Sequence, residues 1–155
     1  MAAAGRYHIP VGILYAVGLT ETGRKGSLQP YALNIAGKAV FTDSPAEAKK
    51  AFRKAQAGGT RLIDLGCMQI NHHYHADQFR DLDHMLDPAA NVDYAARFLL
   101  RLKRKHRQWT MAVARYHAGP DNDAAQKKYV CRVIANTVAT GFGRWTSRAK
   151  AFCGG

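Results

Sequence analysis

Apolar and polar positions alternate along this chain mainly with a helical period. After Pro10, which suits the first turn of a helix, Val11, Leu14, Tyr15, Gly18 and Leu19 recur on one face, and Gly23 can stop the run. Ser44-Pro45-Ala46-Glu47 is a capping box with proline at the first helical position. It predicts a helix running to about Ala57, ended by Gly58-Gly59, with Lys49, Lys50, Arg53 and Lys54 on its solvent face. Asp87-Pro88 opens a longer helix with Val92, Ala95, Ala96, Leu99 and Leu102 as the inward stripe and Arg97, Arg101, Arg104 and Lys105 around it. A shorter helix is expected from about Trp109 to Ala118, stopped by Gly119-Pro120. Asp123 and Gln126 have the spacing of a further cap, leading into a helix with Val130, Val133, Ile134 and Val138 inside and Gly141 at its end. Residues 38–43 and 60–65 are short and partly β-branched, and are expected to pair as a small ribbon. The pattern is mainly α with minor β, and with no repeat, low-complexity tract or linker it reads as a single domain over 1–155.

Composition narrows the function classes. A compact fold of 155 residues buries roughly 68–70% of its unfolded surface and needs no metal or disulfide to hold it. With 47% apolar and 22% charged residues the chain is not a disordered one. The longest apolar run, Ile9 to Leu19, reaches only half of the ~20 residues a membrane helix needs. The net charge is 23 − 11 = +12, a field that recruits nucleic acid, an anionic membrane surface or an acidic wall polymer without choosing among them. The basic run Arg101 to Arg107 has no RNA-binding aromatic motif, zinc finger or helix-turn-helix beside it, so it reads as a solvated helix face and no nucleic-acid partner is expected. Arg6 and the apolar run after it look like the start of a secretory leader, but Glu21 stands where small residues would be needed for cleavage. The run is therefore read as a helix of the fold. If the protein is exported, its leader is not in this sequence.

Several residues could carry chemistry. Glu21 falls at the end of an otherwise apolar helix, where burial and the negative end of the helix dipole would both raise its pKa, as a general acid requires. A solvated glutamate at a fraying helix end is the alternative. In the segment from Asp64 to Asn71, Gln69 and Asn71 alternate with Met68 and Ile70 after Gly66. Their amides could read sugar hydroxyls and acetamido groups, or simply decorate a turn. Tyr116 and His117 close a helix before Gly119-Pro120, and Tyr129 opens the stripe of the next. Each tyrosine fits either a cleft wall or plain core. His72, His73, His75 and His84 invite a metal reading, but no cysteine or carboxylate completes a zinc spacing, so neither metal nor other cofactor is expected. Among the cysteines, Cys67 reads as a small core residue, while pairing of Cys131 with Cys153 stays open.

Taken in order, four segments resemble the motifs of the soluble lytic transglycosylase (SLT-type) domain family. Glu21-Thr22-Gly23 is similar to its Glu-Ser motif, and Gly66-Cys67-Met68-Gln69-Ile70-Asn71 to its Gly-Leu-Met-Gln-Ile segment. The stretch Ala114 to Pro120 resembles its Ala-Ala-Tyr-Asn-Ala-Gly-Pro segment, and Tyr129-Val130 with Val133 its final Tyr-Val-x-x-Val. The resemblance spans about residues 8 to 140. It implies a lysozyme-like α-helical domain with a small ribbon and helix inserted around 38–65. It implies peptidoglycan glycan strands as substrate, cleaved between N-acetylmuramic acid and N-acetylglucosamine with a 1,6-anhydro end as product. Glu21 would be the single acid/base. Substrate contacts would come from Thr22, Gln69, Asn71, Tyr116, His117 and Tyr129, with Tyr129 also orienting Glu21. Such a substrate implies a periplasmic or otherwise exported protein. Pro30-Tyr31-Ala32-Leu33-Asn34 and the insertion after it are most similar to members tied to secretion systems, pili or flagella, which implies proteins of such an assembly as partners. Three departures stand out: Thr22 for Ser, Cys67 for Leu, and His117 for Asn, the last exchanging a neutral amide for a titratable ring. Two other readings remain. One is a water-using muramidase with Asp64 as its second carboxylate; the other is a non-enzymatic wall-binding scaffold.

Overall fold

The computed structural model describes residues 2–118 and 123–154. Helices dominate, accompanied by one small antiparallel sheet, so the mainly α, lysozyme-like class is the observed one. The residues cluster into two compact units, 1–20 with 96–155, and 21–95.

The unit of residues 21–95 contains the sheet. Its strands are β1 (Leu33–Ile35), β2 (Lys38–Val40), β3 (Ile63–Leu65) and β4 (Ile70–Asn71), in the order β2-β1-β3-β4. Leu33 lies opposite both Val40 and Leu65, and Leu65 opposite Ile70, which gathers the apolar side chains into one layer. The expected direct pairing of 38–43 with 60–65 is corrected, because β1 lies between them. Ala36-Gly37, at φ 50° and 84°, form a two-residue turn that folds Lys38–Val40 back onto β1 before it can reach β3. Helix α3 (Pro45–Ala57) crosses from β2 to β3. Ser44 Oγ accepts from the Glu47 N–H at 3.2 Å, and the Glu47 carboxylate reaches the Asp43 N–H at 3.0 Å, one residue before the cap. Ala48 and Phe52 are its buried face. The short helices α4 (His72–His75) and α5 (Leu82–Leu86) follow β4, and α6 (Pro88–His106) starts here. Asp81 and Asp87 cap the last two through the N–H groups of His84 and Ala90, both at 2.8 Å.

The described elements of the other unit are all helices: α1 (Ala2–Arg6), α2 (Val11–Thr22) as far as Thr20, α6 from Ala96, α7 (Trp109–Ala118), α8 (Asp123–Ala139) and α9 (Ser147–Cys153). The single apolar stripe expected for α2 is corrected. Gly12, Leu14, Ala16, Val17, Gly18 and Thr20 are all buried, so the helix is enclosed on nearly all sides. Gly12 is required by packing, since a Cβ there would lie 2.5 Å from that of Phe142. On α8, Val130 and Val133 are buried but Ile134 and Val138 only half-buried. Likewise Val92 and Leu102 of α6 are half-buried, while Asn91 and Tyr94, absent from the expected stripe, are buried with Ala95, Ala96 and Leu99. The open question of the cysteines is answered: Cys131 and Cys153 form a disulfide that ties α9 to α8, and Cys67 stays a buried thiol. Among the described residues no helix is long and apolar enough to cross a membrane.

Candidate functional site

Glu21 is the penultimate residue of α2 and is half-buried. The helix stops at Thr22 because Gly23 follows and the chain turns at once through Lys25 and Gly26, at φ 51° and 75°, so that Arg24 and Ser27 pair. Thr22 is buried, and its hydroxyl donates to the Cys67 carbonyl at 2.9 Å and accepts from the Gln29 N–H at 3.3 Å. The residue after Glu21 thus fastens the helix end to the segment that joins β3 to β4.

That segment is held in an unusual conformation. Gly66 and Gln69 have φ of 79° and 49°. The Gly66 N–H donates to the Ala32 carbonyl at 2.9 Å, and the Gln69 side-chain amide donates to the carbonyls of Gly66 at 2.9 Å and Ala32 at 3.2 Å. Beneath it lies Asn91, fully buried. Its Oδ1 accepts from the Met68 N–H at 3.0 Å, and its Nδ2 donates to the carbonyls of Leu65 at 3.0 Å and Met85 at 3.1 Å. Asn91 escapes the reading of the sequence; the available signal is a lone amide among the apolar positions that open α6. Asn71, paired across the sheet with Asp64, donates to its carboxylate at 2.7 Å, and Asn71 Oδ1 is buried with no hydrogen-bond partner among the described residues.

The 96–155 segment brings together the remaining expected residues. Tyr116 on α7 is half-buried with its ring 5.5 Å from Phe98. The exposed His117 stacks flat on the buried Tyr129 of α8, with ring centroids 4.2 Å apart and planes within 3°. Gly119-Pro120 falls outside the described residues; Asp123, expected with Gln126 as a cap, is the first residue of α8, and Gln126 is buried. In the same unit, Arg132 and Asn136, one turn apart on α8, grip Thr20: the guanidinium donates to its carbonyl at 3.1 Å and the amide to its hydroxyl at 2.8 Å. Arg132 so supplies a donor and a positive charge at the C-terminal end of α2, where helix carbonyls lack partners. Neither residue is singled out by the sequence pattern.

The histidines are occupied individually. His72 packs on Phe52 at 4.7 Å, His75 Nδ1 meets the Tyr94 hydroxyl at 2.9 Å, and His84 Nδ1 accepts from the Arg80 N–H at 3.3 Å. Among the described residues no three metal-binding side chains converge. Burial lowers the pKa of His72, with the neighbouring His73 adding to the effect, and pushes the Cys67 thiol up to about 11. Compared with known proteins, residues 1–137 match one family, described as the transglycosylase SLT domain. No curated protein and no solved structure matches the chain.

Proposed function

The chain belongs to the transglycosylase SLT domain family, which indicates peptidoglycan cleavage of the lytic transglycosylase type, and from this we propose that Glu21 is its single acid/base. The carboxylic acid of Glu21 protonates the glycosidic oxygen between N-acetylmuramic acid and N-acetylglucosamine as the C1–O bond breaks. The resulting carboxylate then takes the proton from the sugar's own 6-hydroxyl, whose oxygen bonds to C1 and closes the 1,6-anhydro ring. No water is consumed and Glu21 ends protonated as it began. One carboxylate suffices because the substrate supplies its own nucleophile, unlike the paired-carboxylate scheme of most glycosidases.

One observation carries this reading most directly. The hydroxyl beside Glu21 is bonded to the 66–69 segment, so the helix end with the acid and the loop with Gln69 are positioned as one body. In the proposal Thr22 positions rather than touches sugar, since its hydroxyl already has two partners. Gln69, Tyr116, His117 and Tyr129 contact the glycan or orient the acid. Asn71, held by its bond to Asp64 two residues beyond Gln69, is a further proposed contact. Residues 1–155 act as one catalytic domain. The wall substrate, the +12 charge and the disulfide, a feature of oxidising compartments, together support a periplasmic or otherwise exported location. The ribbon and helix insertion supports local wall remodelling during assembly of an envelope-spanning machine. In the water-using alternative Asp64 would be the second carboxylate, but its bond to Asn71 gives it a place in the sheet instead.

The test is mass spectrometry of fragments released from purified peptidoglycan. Products one water lighter than hydrolytic ones, absent with Glu21→Gln, are expected. Reducing-end products would make the enzyme a hydrolase, and equal activity of Glu21→Gln would remove Glu21 from the mechanism.

A further inference from the structure

The matched family span ends at residue 137, and the residues beyond it help to build a groove. Thr146, Arg148, Ala149 and Phe152 on and before α9 face the end of α6 and the start of α7, enclosing about 660 Å3. The disulfide from Cys131 to Cys153 holds that wall in place, and Thr146 caps α9 by accepting from the Ala149 N–H at 3.1 Å. Glu21, Gln69, Tyr116, His117 and Tyr129 are all absent from its lining.

Its chemistry is one-sided. Lys103, Arg107 and Arg148 line it, and among its described lining residues none is acidic. Arg107 and Arg148 are exposed. Lys103 is held in position by donating to the Arg107 carbonyl at 2.7 Å, with its ammonium 5.9 Å from the Trp109 ring. Trp109 and Phe152 supply aromatic surface. A mostly apolar cavity of about 280 Å3 shares Trp109, Ile134, Thr146 and Ala149 with the groove and adds Val130 and Val133. The combination asks for a ligand with several carboxylates and short aliphatic side chains.

We propose that this groove binds the peptide stems of peptidoglycan, as a wall-anchoring site separate from Glu21. The inference rests on the wall as substrate. Within that polymer the glycan is the poorer match, because its lactyl carboxyls are consumed in amide bonds to the peptides. The stems carry the free carboxylates, together with alanine methyl groups that the apolar cavity can admit. Three cations lining one groove, with no acidic side chain among its described lining residues, favour such a ligand electrostatically.

Two measurements test it, both on the full chain carrying Glu21→Gln so that nothing is cleaved. In a sacculus pelleting assay, the double variant Arg107→Glu/Arg148→Glu should bind about tenfold more weakly. Arg53→Glu/Lys54→Glu, which alters net charge equally on the exposed face of α3, should change binding little. Equal losses in the two double variants would reduce the effect to overall charge and overturn the proposal, as would undiminished binding of the first. In NMR titration with stem peptides released from the wall by an amidase, the Trp109 indole N–H and amides of 107–110 and 146–152 should shift, and the shifts should vanish in Arg107→Glu/Arg148→Glu. Absence of shifts at millimolar peptide, or shifts unaffected by that variant, would overturn it. Product analysis on the unaltered chain reads the catalytic proposal separately, so either can fail alone.

Discussion

The carboxamide of Asn91 fills the space that any side chain at residue 66 would need: a Cβ on Gly66 would lie 2.4 Å from Asn91 Nδ2. The two residues come from different elements, yet each requires the other. Gly66 at φ 79° lets the chain leave β3, and Asn91 then supplies hydrogen bonds to the backbone that this turn leaves unpaired. Gly66→Ala meets both a forbidden contact and an unfavourable φ. It is expected to destabilise by about 3 kcal/mol or more in urea unfolding. Asn91→Leu, which keeps the branched outline though it is bulkier, strands the Met68 N–H and two carbonyls, at an expected cost of about 3 kcal/mol. A loss below about 1 kcal/mol for either would mean the loop has a second means of support.

Thr22 tests the link between the proposed acid, Glu21, and the loop. Thr22→Val keeps the shape and removes the bonds to Cys67 and Gln29. A stability loss of about 1–2 kcal/mol is expected, with kcat falling more than KM rises. Thr22→Ser should recover most of both. Equal kcat for the valine variant would separate Glu21 from the 66–69 segment.

The bond between Cys131 and Cys153 closes a separation of 22 residues. By loop-closure entropy its removal, as Cys131→Ser/Cys153→Ser, costs about 3 kcal/mol, read as a lower denaturation midpoint. With its pKa near 11 and its burial, Cys67 should resist alkylation in the native oxidised chain and react only on unfolding.

Stability should also depend on pH through His72. Its pKa in the fold lies below the ordinary 6.5, so the unfolded chain takes up a proton first as pH falls. Stability is retained above about 6.5 and declines as pH drops through that value toward the lower folded pKa. His72→Phe, which keeps a ring against Phe52, should flatten this part of the urea midpoint profile between pH 7.5 and 5.5.

Much of the fold is legible without coordinates because its signals are local. Ser44, Pro45 and Glu47 mark the start of α3 within four residues, and Gly58-Gly59 its end. The motif segments around Glu21, Gln69, Tyr116 and Tyr129 are contiguous in sequence, which is why the family can be recognised from them. Strand order was beyond such reading, since Leu33–Ile35 is a strand only because it finds partners on both edges. So was the enclosure of α2: an apolar helix looks the same whether one face or all of it is covered.

The mainly helical class, the capped helices and the identity of the proposed acid are therefore properties of the chain read as a string. Each depends on residues within one turn or one motif of each other. Packing was needed for the rest: that Thr22 joins the helix end carrying Glu21 to the 66–69 loop, that Asn91 fits against Gly66 from 25 residues away, and that Cys131 meets Cys153. Hydrogen bonds and disulfides between distant positions depend on distances in space, and those exist only once the helices and strands have packed.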